Sequence, residues 1–332
     1  MTVDTQTLGS EAMRFEIVKA ALNEGAAPRL GRLAFNKKLP IDTPNYIGVT
    51  SRGALPHLTP DNVGRHLRTT GAYMALEDFI ERPQQYAQRT PPIYETPTTP
   101  KHTTRLHSFT ALPPSVTTVL SARRLPAVAS PMGNTSASVS VFTSTGFQVL
   151  TTKEYLSAVE ALTPDIAIPP ADLTHSPITP NSKRALRMAE RTDEWVVDWF
   201  SHLSDSNKGS SKISTFAPVL PVPYSIQWEY IARLAEDYLP SSQLSGLAIY
   251  DADLIHNHAV VSAFFAGVRS ALAPGGGQAA EFQEAARRFA LAYEPDFPEG
   301  VGQRPRARGY QYKSLDGEED GVEVAGEGRI DG

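Results

Sequence analysis

The chain has 332 residues, 41% of them apolar, a formal net charge of −5 and no cysteine. That apolar content fills one large α/β domain or two ordinary ones. The missing cysteines exclude a disulfide framework, a thiolate nucleophile and a cysteine zinc site within these residues, and the acidic balance argues against nucleic-acid binding through a large uniform basic surface.

No apolar run approaches the roughly 18 to 20 residues of a spanning helix, and Met1 to Ser10 is polar, so a soluble, unsecreted protein is expected. From Arg14 to Ile80, β-like pieces at Gly31 to Phe35 and Tyr46 to Thr50 stand among turn residues such as Asp42-Thr-Pro44 and Ser51-Arg-Gly53, which predicts an antiparallel β region. Proline and threonine then dominate residues 81–112, read as an exposed insertion.

From Ser136 to Leu272, β-branched runs alternate with helical periodicity, the pattern of βα units on a parallel sheet. Val139 to Thr143 reads as a strand, and Thr151-Thr-Lys-Glu154 as a capping box opening a helix with Tyr155, Leu156, Val159 and Leu162 on one face. Asp165 to Ile168 is the next strand. Lys183 to Leu203 is a long amphipathic helix carrying Leu186, Ala189, Val196, Trp199, Phe200 and Leu203, and Thr215 to Val222 is a strand. Ser225 is placed to cap a helix burying Trp228, Ile231, Leu234 and Tyr238, and Leu247 to Tyr250 is a last strand. About four βα units result, short of a closed eight-fold barrel, and an open sheet edge calls for a covering partner. Residues 256–299 read as a helical extension and residues 300–332, rich in glycine and charge, as a disordered tail.

Three ordered groups of segments are similar to the tRNA-guanine transglycosylase family. The first is Pro28-Arg-Leu-Gly-Arg-Leu33 with Ile41-Asp-Thr-Pro-Asn-Tyr46 and Gly53-Ala-Leu-Pro-His-Leu-Thr-Pro60. The second, Thr143-Ser-Thr-Gly-Phe-Gln-Val149, resembles the family's active-site turn Asp-Ser-Gly-Gly-Phe-Gln-Val. The third runs from Leu162-Thr-Pro-Asp-Ile-Ala-Ile168 through Asp172 to Lys183-Arg-Ala-Leu-Arg-Met-Ala-Glu-Arg191. The resemblance spans residues 14–253, and Pro56-His57-Leu58-Thr59 is similar to the family's eukaryotic accessory, non-catalytic branch. It implies a TIM-barrel-like (β/α)8 fold, incomplete here, over residues 14–255.

The resemblance also implies a chemistry, the exchange of a tRNA guanine for queuine through a covalent enzyme-RNA intermediate. That reaction needs a nucleophilic carboxylate and a second acidic group. The family's acidic position in the turn falls on Thr143, whose hydroxyl cannot act as a carboxylate, and no segment after Tyr250 resembles the surroundings of the nucleophile. No catalytic residue is therefore assigned. Ser144, Gly146, Gln148 and Asp172 are the candidate base-pocket contacts, beside a plain packing turn for the first three and a turn or cap aspartate for the last. The implied zinc site of three cysteines and a histidine has no cysteine ligands here, so no metal or other cofactor is expected in this chain, and a truncated product or degenerate paralogue is a reading of that departure.

The partners so implied are a catalytic subunit in a heterodimer and tRNA, directly or through that subunit, in the cytoplasm or at the mitochondrial outer surface. An independent small-molecule enzyme on a partial barrel is the other functional class. His256-Asn-His258 is read as loop, Pro274-Gly-Gly-Gly277 as a linker, and Trp195 with Trp199 as core or subunit interface. The basic clusters Arg29 and Arg32, Arg65 to Arg68, Arg123 and Arg124, and Lys183 to Arg191 are read as solvated faces.

Overall fold

A computed structural model describes residues 13–19, 30–67, 69–81, 90–100, 102, 104–175, 179–205, 213–239, 241 and 243–250. The expected helical extension, the tail, His256 and His258, and the glycine run after Pro274 lie outside the described residues.

The expected antiparallel region is present. β1 (Met13–Lys19), β2 (Leu30–Phe35) and β3 (Ile41–Thr43) form a three-stranded antiparallel sheet in that order. β4 (Gly48–Val49) departs from the expectation, because it pairs in parallel with β5 (Gly71–Ala75) across the short helix α1 (Pro60–His66). A 3-10 turn at Leu76–Asp78 and the helices α2 (Pro92–Glu95) and α3 (Arg105–Thr110) lead to β6 (Thr117–Ser121). β7 (Ser138–Thr143) and β8 (Gly146–Thr151) precede α4 (Thr152–Leu162) and β9 (Ile166–Ala167). Then come α5 (Ser182–Asp205), β10 (Ser214–Val219), α6 (Tyr224–Arg233) with a π-helical turn at Leu234–Tyr238, and β11 (Leu244–Ile249).

The main sheet has six parallel strands in the order β4-β5-β6-β9-β10-β11, the order in which they occur along the chain. Successive residues point to opposite faces. Ala72, Met74, Leu120, Ala167 and Ala217 join the cluster built by the helices, with Tyr155, Leu162, Trp195, Trp199, Phe200, Ile231 and Leu234. Tyr73, Val119, Ile166 and Phe216 face the other way and meet Leu33 and Phe35 of β2. Both faces are thus covered, and each fully buried large apolar side chain contributes roughly 1.5 to 3 kcal/mol.

Four expectations are corrected. Val139 to Thr143 is not a strand of the parallel sheet: among the described residues β7 pairs only with β8, as an antiparallel hairpin. The stretch 81–112 is not uniformly exposed, because Ile93, Leu106 and His107 are buried and anchor α2 and α3 to the core. On α5 the buried stripe is Ala185, Met188, Ala189, Trp195, Val196, Trp199 and Phe200, leaving Leu186 48% exposed. On α6, Pro223 rather than Ser225 stands at the N-cap and Trp228 is 50% exposed. Gln227 is buried instead, in a non-helical conformation, and its amide accepts from Leu220 N and donates to the carbonyls of Leu220 and Val222. Backbone groups at the end of β10 need polar partners once buried, and an indole cannot serve both as donor and acceptor.

The capping box of α4 forms as expected, Thr151 accepting from Glu154 N while the Glu154 carboxylate accepts from Thr151 N. Trp195 and Trp199 are core residues whose indole N–H groups donate to Ser136 O and Thr215 Oγ1. Among the described residues no helix is long and apolar enough to cross a membrane.

Candidate functional site

The carboxyl ends of the parallel strands carry the charged groups of the molecule's interior. Glu77 and Asp78 follow β5 in the 3-10 turn, Arg123 and Arg124 follow β6, Asp172 lies five residues beyond β9, and Tyr250 follows β11. Parallel strands deliver their successors to one edge, which is where such folds place ligand contacts.

Glu77, fully buried, binds both the β6 end and the hairpin. Its Oε1 accepts from Arg124 N at 2.8 Å and Arg124 Nε at 2.9 Å, and its Oε2 accepts from Phe142 N of β7 at 2.7 Å. Arg124 completes the loop: its Nη2 donates to Phe142 O at 2.7 Å and pairs with Asp78 Oδ1 at 3.0 Å, and its guanidinium lies 5.5 Å from the centre of the Phe142 ring. Burial pushes the Asp78 carboxyl up from its ordinary range, with Arg124 opposing that rise.

Asp172, also fully buried, makes the second anchor. Its Oδ1 accepts from Asn134 Nδ2 at 2.7 Å and faces Arg184 at 3.3 Å, and its Oδ2 accepts from Arg191 at 3.0 Å. Asn134 in turn accepts from Ser140 N of β7 at 2.9 Å. Two buried carboxylates on different strand ends therefore fix one hairpin, through residues two positions apart on β7. Arg123, Arg124, Arg184 and Arg191 belong to these networks rather than to purely solvated faces, which corrects the reading of those clusters.

The hairpin presents the candidate turn. Thr143 is fully buried, its hydroxyl donating to Gly146 O at 3.0 Å and lying 3.0 Å from Thr145 Oγ1. Gln148 Nε2 donates to Thr145 Oγ1 at 2.8 Å, Ser144 is exposed, and Gly146 adopts φ +110, a conformation other residues rarely take. Ser144, Gly146 and Gln148 thus share one turn, while Asp172 joins the hairpin lower down through Asn134. The turn closes an antiparallel hairpin instead of ending a parallel strand.

A cleft beside these groups, with a cavity of about 20 Å³, is lined by Ser121, Arg123, Leu125, His175 and Tyr250 among others. That volume holds one water, whereas pockets for drug-sized ligands reach several hundred Å³, so a purine does not enter it in this conformation. Burial and the neighbouring Arg123 charge push the His175 imidazole down to about 4, leaving it neutral at pH 7. Tyr73 donates to Arg123 O at 2.7 Å, and burial raises its phenol well above the ordinary range.

Each acid in this cluster is engaged by arginine, so the arrangement holds a hairpin in place and offers no unpaired carboxylate among the described residues. A zinc site of three cysteines and a histidine cannot be built by a chain without cysteine, and no group of three or more metal-binding side chains comes together among the described residues. Sequence reasoning missed Glu77 and Asn134 and took Arg124 for part of a solvated face. The signal available for Glu77 was a pair of acids directly after the apolar run Ala72 to Leu76.

A family model described as queuine tRNA-ribosyltransferase matches residues 24–254. The queuine tRNA-ribosyltransferase accessory subunit 2 of Schizosaccharomyces pombe is 28% identical over 232 residues, 69% of this chain and 47% of that relative. The chain therefore spans about half the length of this curated relative.

Proposed function

The chain belongs to the queuine tRNA-ribosyltransferase family, and from that membership we propose that it acts as a non-catalytic accessory subunit, pairing with a catalytic homologue that exchanges guanine for queuine in tRNA. Thr143 carries this reading. It occupies the place of the aspartate in the family's active-site turn and is enclosed by its own hairpin, so it supplies no carboxylate to a ribosyl carbon. Both acids the exchange needs then come from the partner.

Three further features support the reading. The similar relative is itself an accessory subunit by name. Glu77 and Asp172 are fully buried and charge-paired to arginines, so neither carboxylate stands free to meet a ribosyl carbon. The six parallel strands follow chain order without reversal, as the wall of a (β/α)8 barrel does, and we assign them to such a barrel. Ser144, Gly146 and Gln148 are then the residues that the turn presents toward tRNA or the partner. The exchange is placed in the cytoplasm or at the mitochondrial outer surface.

The test is replacement of guanine by labelled queuine in tRNA. The catalytic subunit together with this chain exchanges faster than the catalytic subunit by itself, and this chain without the partner exchanges nothing. Turnover by this chain alone overturns the proposal.

A further inference from the structure

The cleft at the carboxyl end of the sheet brings Arg123, His175, Ser121 and Tyr250 together from three separate strand ends, and no carboxylate among the described residues lines it. Arg123 is only 8% exposed, and one of its N–H groups is unmet. Its Nη2 donates to Val128 O, but its Nε has no hydrogen-bond partner and stands 3.5 Å from Glu77 Oε2. That carboxylate already accepts from Arg124 N, Arg124 Nε and Phe142 N. A buried guanidinium sharing its counter-ion in this way attracts a further acceptor, since an unsatisfied buried N–H of a charged group is costly.

We propose that this cleft is a phosphate-binding site, in which one phosphate oxygen enters the cavity to meet Arg123 while Ser121 and His175 contact the group from the sides. The size agrees with this: about 20 Å³ admits one oxygen and not the whole anion, so the phosphate sits in the mouth and can be free or carried on a nucleotide. Tetrahedral phosphate suits donors that arrive from β6, from the segment after β9 and from β11, where a planar carboxylate would satisfy fewer of them. A bound phosphate also offsets the Arg123 charge that disfavours protonation of His175, which gives the site its own signal.

The experiment is an NMR titration of the His175 ring in the chain alone, with inorganic phosphate against chloride at equal ionic strength, so that its outcome is separate from that of the accessory role. The expected result is a saturable shift and an upward move of the His175 titration midpoint. Affinity falls at least several-fold in Ser121→Ala and about tenfold or more in Arg123→Lys, which keeps the charge facing Glu77 but loses the fork. Displacement by adenosine monophosphate places the group on a nucleotide, and binding of inorganic phosphate without such displacement identifies a free anion. No saturable response up to tens of millimolar phosphate, or the same response in the folded Ser121→Ala and Arg123→Lys chains, overturns the proposal.

Discussion

Glu77→Gln isolates what the buried clamp on the hairpin contributes. The substitution keeps the shape of the side chain but removes the charge shared by Arg123 and Arg124, at a position with no solvent exposure. It also turns one acceptor oxygen into a donor that must face either Phe142 N or the two Arg124 donors. Removing one partner of a buried pair costs about 3 to 5 kcal/mol, and a domain of 150 to 250 residues loses about 2 to 4 °C of melting temperature per kcal/mol, so the expected drop is roughly 10 °C. Thermal unfolding by circular dichroism measures the drop, and hydrogen exchange locates it. The Phe142 amide loses protection by more than the amides of β10. A change below about 2 °C with Phe142 still protected would refute the clamp, because it would put the net contribution of the pair under 1 kcal/mol.

The second anchor behaves in the same way: Asp172→Asn strands Arg184 and Arg191 and costs about 3 to 5 kcal/mol in denaturant unfolding, whereas Arg184→Ala, at a side chain 35% exposed, costs about 1 kcal/mol or less. Burial holds both His175 and His107 in the neutral form, so below pH 6.5 the folded chain binds fewer protons than the unfolded one. Stability is full above pH 6.5 and falls as pH descends, for His175 until about pH 4, and His175→Gln flattens that part of a melting-temperature profile. Gly53→Ala meets Thr110 Cβ at 2.4 Å as well as an unfavourable φ of +85, while Gly146→Ala has open space and meets only the strain of its φ of +110. The latter costs about 1 to 3 kcal/mol and the former clearly more, as urea midpoints will read.

The long α5 was legible because one side of it is wet, so its apolar spacing stands out against charge, and α4 announced itself with its capping box. β5 and β6 were not. Gly71-Ala-Tyr-Met-Ala75 and Thr117-Thr-Val-Leu-Ser121 are buried on both faces, which erases the alternation that marks a strand, and in β5 the glycine and two alanines are residues that strands disfavour. Leu186 and Trp228 misled for the opposite reason, being large apolar side chains that the packing leaves half outside while Ala185 and Gln227 go in. The turn at Thr143 to Gln148 was visible as a motif. The clamp that holds it was not, because Glu77 and Arg124 lie 47 residues apart and only the meeting of the β5 and β6 ends brings them together.

The accessory role stands or falls most directly on assembly. Light scattering on a size-exclusion column, run on an equimolar mixture of this chain with a catalytic queuine tRNA-ribosyltransferase subunit, measures it without depending on turnover. The expected result is a single species with the summed mass of one copy of each. Two separate peaks, with the chain shown to be folded by its melting transition, would contradict it.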